Sequence, residues 1–223
     1  MNFVQWLNSL DDFLFELMSW IVLFPVTLWR AITRPLTTMR YAQEQLALPP
    51  DDQYGDTVSP PVFLVLSLLL TGAVELALFG TNPIVKSNHG LAALVTDSTS
   101  LLLLRLIFFS TFPVVMATRL VRRRNVPFDR KALKPPIYAQ CYAAAPFALG
   151  ISIGTSMTLV HAPWTKALGA ALLLATFLCY GITQARWFST ELGQSFGRGF
   201  MHASFGMVEG IVAVLILASL FAF

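Results

Sequence analysis

From residue 60 onward the chain is written as five long apolar stretches separated by short polar breaks. They run Pro60–Phe79, Thr99–Thr118, Pro136–Val160, Trp164–Ala185 and Met201–Phe223. Each is close to the ~20 residues that carry a helix across a ~30 Å hydrocarbon layer. Runs such as Phe63–Leu70 and Leu101–Leu104 do not alternate between apolar and polar residues. A membrane β-barrel needs that alternation. In lipid every backbone donor and acceptor must be satisfied inside the segment, so helices are the required element. The pattern predicts an all-α polytopic membrane bundle of about five transmembrane helices, occupying residues 60–223.

Residues 1–40 read differently. Leu7, Leu10, Leu14, Leu17 and Ile21 recur at helical spacing, with Asn8, Asp11, Asp12 and Glu16 between them. That is an amphipathic helix. The apolar run Leu17–Trp29 is short, contains Pro25, and closes on Arg30, Arg34 and Pro35; Trp20 and Trp29 suit a headgroup layer. The prediction is a helix lying in the membrane interface, with a sixth span as the alternative. The opening lacks the basic start of a cleavable signal, and no lipidation motif is present. Residues 41–59 hold Pro49, Pro50, Glu44, Asp51, Asp52 and Asp56, and read as a solvated polar linker.

Charge gives the orientation. Arg30, Arg34 and Arg40 precede the first long stretch. Arg119, Arg122, Arg123, Arg124, Arg130, Lys131 and Lys134 lie between the second and third, and Arg186 and Arg198 between the fourth and fifth; the other side has Lys86 and Lys166. An excess of Lys and Arg marks the cytoplasmic side. The basic loop 119–134 is therefore expected in the cytoplasm, with the protein in a bacterial cytoplasmic (inner) membrane. Only 12% of the residues are charged, and 56% are hydrophobic. A soluble domain carries about 25% charged residues. A net charge of +3 does not then point to nucleic acid. Beside spans, Arg30, Arg34, Arg122, Arg123 and Arg124 read as topology anchors touching anionic headgroups. The expected partners are membrane lipids, with a second copy or another membrane protein beside them.

Three ionisable residues fall inside the stretches: Glu75, Arg105 and Glu209. Charge in hydrocarbon is costly, so each should face the bundle. A rise of about 1.5 Å per residue puts Glu75 and Arg105 at similar depth on antiparallel neighbours, which predicts an ion pair, either a structural tie between the helices or part of an ion- or proton-binding relay. Glu209 comes nearer the midplane. Without a partner it would be held neutral, and it is the leading candidate for a substrate or coupling-ion site, with satisfaction by a neighbouring helix's hydroxyl as the alternative. In the third stretch Tyr138, Tyr142, Pro146, Gly150 and Gly154 recur at every fourth residue along one drifting ridge. Pro146 frees a carbonyl there, so Tyr138, Tyr142 and Pro146 form a candidate polar notch. Gly150 with Gly154, and Gly206 with Gly210, are small-xxx-small pairs that permit close helix packing; Gly193 and Gly197 precede the second pair. No catalytic element is recognisable. The two cysteines, Cys141 and Cys179, read as small core residues, and His89, His161 and His202 lack ligand spacing. The expectation is no enzyme, no metal and no cofactor.

The entry Ser59-Pro60-Pro61-Val62-Phe63 and the stretch Tyr138-x3-Tyr142-x3-Pro146 resemble the Ypt-interacting-protein (YIP) superfamily, including its bacterial permease-like branch. The resemblance covers roughly residues 59–223. It implies a cytosolic N-terminal region followed by five closely spaced spans. Eukaryotic members of that superfamily act in vesicle trafficking with small GTPases, through an acidic aromatic element whose nearest counterpart here is Asp51-Asp52-Gln53-Tyr54-Gly55-Asp56. Two functions follow as expectations. One is a permease-like protein moving a small solute or ion past Glu209 and the tyrosine notch. The other is a non-enzymatic membrane scaffold or adaptor.

Overall fold

A computed structural model describes residues 3–79, 98–124, 126–160 and 162–220. All their regular structure is helical: α1 (Phe3–Thr33), α2 (Pro35–Gln45), a single 3-10 turn (Pro50–Asp52), α3 (Pro60–Phe79), α4 (Ser98–Arg123), α5 (Arg130–Leu159), α6 (Pro163–Glu191) and α7 (Phe196–Leu220). Among the described residues six helices, α1 and α3–α7, are long and apolar enough to cross a membrane. Lys86, His89, His161 and residues 221–223, which figured in the sequence reading, lie outside the described residues.

α5 is the centre of the bundle. It packs against α2, α3, α4 and α6. Its buried face runs through Ala139, Ala143, Ala144, Ala145 and Ala148. Small side chains let four neighbours approach one helix, which larger residues would hold apart. The aromatic layer around it includes Phe147 stacked on Tyr180 at 4.3 Å, with Phe112 and Phe177 edge-on to the same ring.

Three boundaries differ from the sequence expectation. Pro25 does not end α1. It lies on an exposed face and costs one helical hydrogen bond, whereas the break falls at Arg34 (φ −134°, ψ 56°), pushed out of the helical region by the ring of Pro35. The apolar part of α1 is thus 21 residues, Phe13–Thr33, and long enough to span. Its tertiary anchors are Phe24 on Phe63, Thr27 on Val58 and Arg30 on Asp56, all where α3 begins. Second, α4 continues past Thr118 to Arg123, so much of the basic "loop" is helix and only residues 124–129 connect α4 to α5. Third, α6 ends in a left-handed cap. Gly193 has φ +60°, its N–H reaches the Thr190 carbonyl, and the Gln194 N–H reaches the Ser189 carbonyl at 2.9 Å. That 6→1 and 5→2 pattern needs a residue tolerant of positive φ, which glycine supplies.

The polar linker also departs from expectation. Met39, Ala42, Tyr54, Thr57 and Val58 are buried. Residues 35–59 fold back as a cap on α5 and on the start of α3, with Glu44, Asp52 and Asp56 exposed. Tyr54 holds a left-handed backbone (φ 59°), fixed by its N–H to Gln45 Oε1 (2.8 Å) and its hydroxyl to the Ala42 carbonyl (3.0 Å).

Candidate functional site

The ionisable residues of the bundle fall into two separate sites. The first joins α3, α4 and α5. Arg105 Nη2 donates to Glu75 Oε2 at 2.6 Å, and Ser156 Oγ donates to Glu75 Oε1 at 3.0 Å. Arg105 Nη1 lies 3.5 Å from Thr71 Oγ1. The side chains of Arg105 and Glu75 are only 13% and 6% exposed. Both carboxylate oxygens are engaged and the two charges cancel, so the cluster acts as a neutral tie between three helices. Ser156 of α5 is the member of this cluster that depth counting along α3 and α4 does not supply.

The second site is on the outer face of α4 and α7. Arg119 Nη1 meets Glu209 Oε1 at 2.5 Å, and the guanidinium lies 5.3 Å from the centre of the Phe205 ring. Glu209 is 53% exposed while Arg119 is 11% exposed. This corrects the placement of Glu209 as a bundle-facing group with only a hydroxyl or nothing for a partner. Its partner comes from the part of α4 that the sequence reading assigned to a loop.

The tyrosine ridge is closed off by the chain itself. Tyr142 donates to the Val58 carbonyl at 2.7 Å, and its hydroxyl is 3.2 Å from Thr57 Oγ1. The rings of Phe63 and Tyr54 cover Tyr142 and Tyr138 at 5.6 and 6.4 Å. Lys134 lies 5.4 Å above the Tyr138 ring. Each fourth-residue step rotates about 40° around a helix of 3.6 residues per turn. The ridge therefore leaves this contact before it reaches Pro146. Pro146 and Gly150 instead line a cleft of about 440 Å³ among α1, α3, α5 and α6, whose walls include Leu28, Leu70, Leu172 and Cys179. The cleft is mainly apolar. The expected polar notch is thus two things, a hydrogen-bonded clamp on the start of α3 and a greasy cleft. Tyr142→Phe should cost about 1–3 kcal/mol, because it strands a buried carbonyl. Tyr138→Phe should stay within about 0.5 kcal/mol. Thermal unfolding of the two variants in detergent checks both values.

The glycines divide by what surrounds them. A Cβ on Gly150 would fall 2.2 Å from Thr176 Oγ1, and one on Gly154 would lie 2.8 Å from Leu173 and 3.2 Å from the Gly169 carbonyl. Gly206 and Gly210 face Met116 and Phe112 of α4. A Cβ on Gly197 would meet no neighbouring helix or side chain within 4 Å.

The anchors are not equivalent. Arg30 binds Asp56 at 2.7 Å, and Tyr41 donates a second hydrogen bond to the same carboxylate. The phenol contact and then the guanidinium hold the Asp56 carboxyl below its usual range. Burial, then the Asp56 contact, pushes the Tyr41 phenol up to about 12, so it remains a donor. Burial raises the Tyr54 phenol as well. Arg124 pairs with Glu191 and stitches α4 to α6. Arg34 is exposed at the α1–α2 corner, and Arg122 and Arg123 are exposed on the last turn of α4.

One buried pair escaped the sequence reading. Gln140 and Gln184, both fully buried, exchange two amide hydrogen bonds of 2.9 and 2.6 Å between α5 and α6. The signal was present as two uncharged polar residues inside apolar stretches. Among the described residues no group of three His, Cys, Asp or Glu is placed to hold a metal. No family model, no curated protein and no solved structure matches this chain.

Proposed function

We propose that the protein is a non-enzymatic membrane scaffold, with the C-terminal end of α1 and the 35–59 cap at the cytoplasmic face of a bacterial inner membrane. The observation that supports this reading most is the clamp on the tyrosine ridge. The space that a polar path would need is filled by Tyr54, Thr57 and Val58, while Glu75 and Glu209 each neutralise an arginine. A permease-like protein of the same architecture needs a polar route to Glu209, and Glu209 lies on the outer face instead. The orientation rests on the arginine-rich end, where Arg122, Arg123 and Arg130 gather. The resemblance to the YIP superfamily fits the same reading. The two stretches that carry the resemblance touch each other, through Tyr142 on the Val58 carbonyl and against Phe63.

The test is flux in proteoliposomes. The scaffold reading expects proton, cation and small-solute movement equal to that of protein-free vesicles, for the wild type and for Glu209→Gln alike. Wild-type flux above the empty vesicles that Glu209→Gln or Glu75→Gln abolishes would overturn it in favour of transport.

A further inference from the structure

The groove that holds Glu209 has more cationic charge than Glu209 neutralises. It encloses about 460 Å³ between α4 and α7 and is lined by Arg119, Arg122, Arg123, Thr118 and Glu209, with Val114 and Val115 above them. Three guanidinium groups meet one carboxylate. Arg119 is occupied by Glu209 and by the Phe205 ring. Arg122 leans on Phe128 with its charge 5.8 Å from the ring centre. Among the described residues neither Arg122 nor Arg123 has a carboxylate within ion-pair distance. Two arginine forks at the lip of a groove suit the oxygens of a phosphate, which guanidinium binds in a planar, two-point fashion.

The apolar surface beside the groove says what carries that phosphate. Val114 and Val115 line the groove itself, and Phe205, Val208 and Val212 are exposed on α7 beside Glu209. Arg119 to Arg123 form the last turn of α4, a helix long and apolar enough to span, so a bilayer crossed by α4 would set its headgroups at these arginines and the valines deeper. A soluble phosphate would use the arginines alone. A phospholipid uses both halves at once. Basic pockets between spanning helices at this level are recognition sites for anionic headgroups.

We propose that the α4/α7 groove binds one anionic phospholipid, its phosphodiester on Arg122 and Arg123 and an acyl chain along Val114 and Val208. Glu209 keeps Arg119 fixed as the groove's floor and prevents a third free charge. The proposal does not depend on the scaffold reading, since a transporter with the same groove would bind the same headgroup.

The experiment uses the full chain released from bilayer discs and weighed with its retained lipids by native mass spectrometry. In discs of mixed phosphatidylglycerol and phosphatidylcholine, the wild type should retain phosphatidylglycerol preferentially. Arg122→Gln/Arg123→Gln should lower that retention about tenfold, while Arg130→Gln/Lys131→Gln, which removes equal charge nearby, should leave it unchanged. Equal losses in both variants would mean a diffuse surface field and overturn the site. Displacement of the lipid by inorganic phosphate would mean a free-anion site and overturn the lipid assignment. Arg122 and Arg123 also orient α4, so a second measurement needs no variant. A photoactivatable phosphatidylglycerol should cross-link the wild type within residues 112–123 and 205–212. Adducts confined to other segments would overturn the proposal.

Discussion

Replacing Glu75 with alanine is expected to destabilise the protein by about 3–5 kcal/mol, the largest single effect in the bundle. The substitution leaves the Arg105 guanidinium, 13% exposed, beside Thr71 with the Glu75 charge removed. Arg105→Ala is the mirror case and strands the carboxylate on Ser156. A competing estimate decides what the measurement means. Hydrogen bonds between membrane helices are worth only about 0.6 kcal/mol on average, with a maximum near 1.7. If the cluster were simply a set of hydrogen bonds, either variant would stay within that smaller range. The larger value follows only if the cost is that of an unpaired charge in low dielectric. Glu75→Leu/Arg105→Met removes both charges and restores apolar volume, and it should recover most of the loss. Reversible unfolding in mixed micelles, run as a double-mutant cycle, reads all of these. Single variants within about 1 kcal/mol of wild type would show that water reaches the pair.

The Glu75–Arg105 pair was legible because depth along a helix is set by residue count alone, and neighbouring spans run antiparallel. Glu209 failed by the same arithmetic, applied to a helix ended too soon. With α4 stopped at Thr118, Arg119 belongs to a loop and Glu209 has no partner; with α4 continued to Arg123, Arg119 stands on the adjacent helix within reach. Arginine at a helix end carries an apolar stem that extends the span, so a boundary drawn at the first charge is drawn early. The cap over Tyr142 was illegible for a different reason. Tyr54 takes a left-handed backbone that its residue type does not advertise, and the partner that receives the Tyr142 proton is 84 residues away. Polar composition at residues 41–59 described the outer side of that segment and concealed its inner one. Gln140 and Gln184 are uncharged and lie on different helices, so no charge cost announces them in the sequence, although a buried amide pair imposes the same demand for a partner.

Gly199→Ala should cost about 3 kcal/mol, while Gly206→Ala should stay within about 1 kcal/mol of wild type, though both are single methyl additions to α7. The difference lies in what the methyl meets. At Gly199 it would fall 2.3 Å from the Ala185 carbonyl oxygen and 2.8 Å from the Ser189 nitrogen, both backbone atoms of α6. Backbone yields only if the helices separate, and the short Gly193-capped turn between them restricts how far they move. At Gly206 the methyl meets Met116 Sδ at 2.6 Å, the flexible part of a side chain that can turn aside. Alanine also recovers up to about 1 kcal/mol of helix propensity over glycine, which offsets part of the crowding at either site. Sequence spacing ranked these positions the other way. Gly206 and Gly210 form the conspicuous pair, whereas Gly199 has alanine one turn on, at buried Ala203, and faces Ala185 and Ser189 rather than glycine. The physical requirement is the absence of a Cβ at a backbone contact, which a count of glycine pairs does not measure. Unfolding midpoints of the two variants in the same detergent settle the ranking, and equal losses at both positions would mean that α6 and α7 are not packed backbone to backbone.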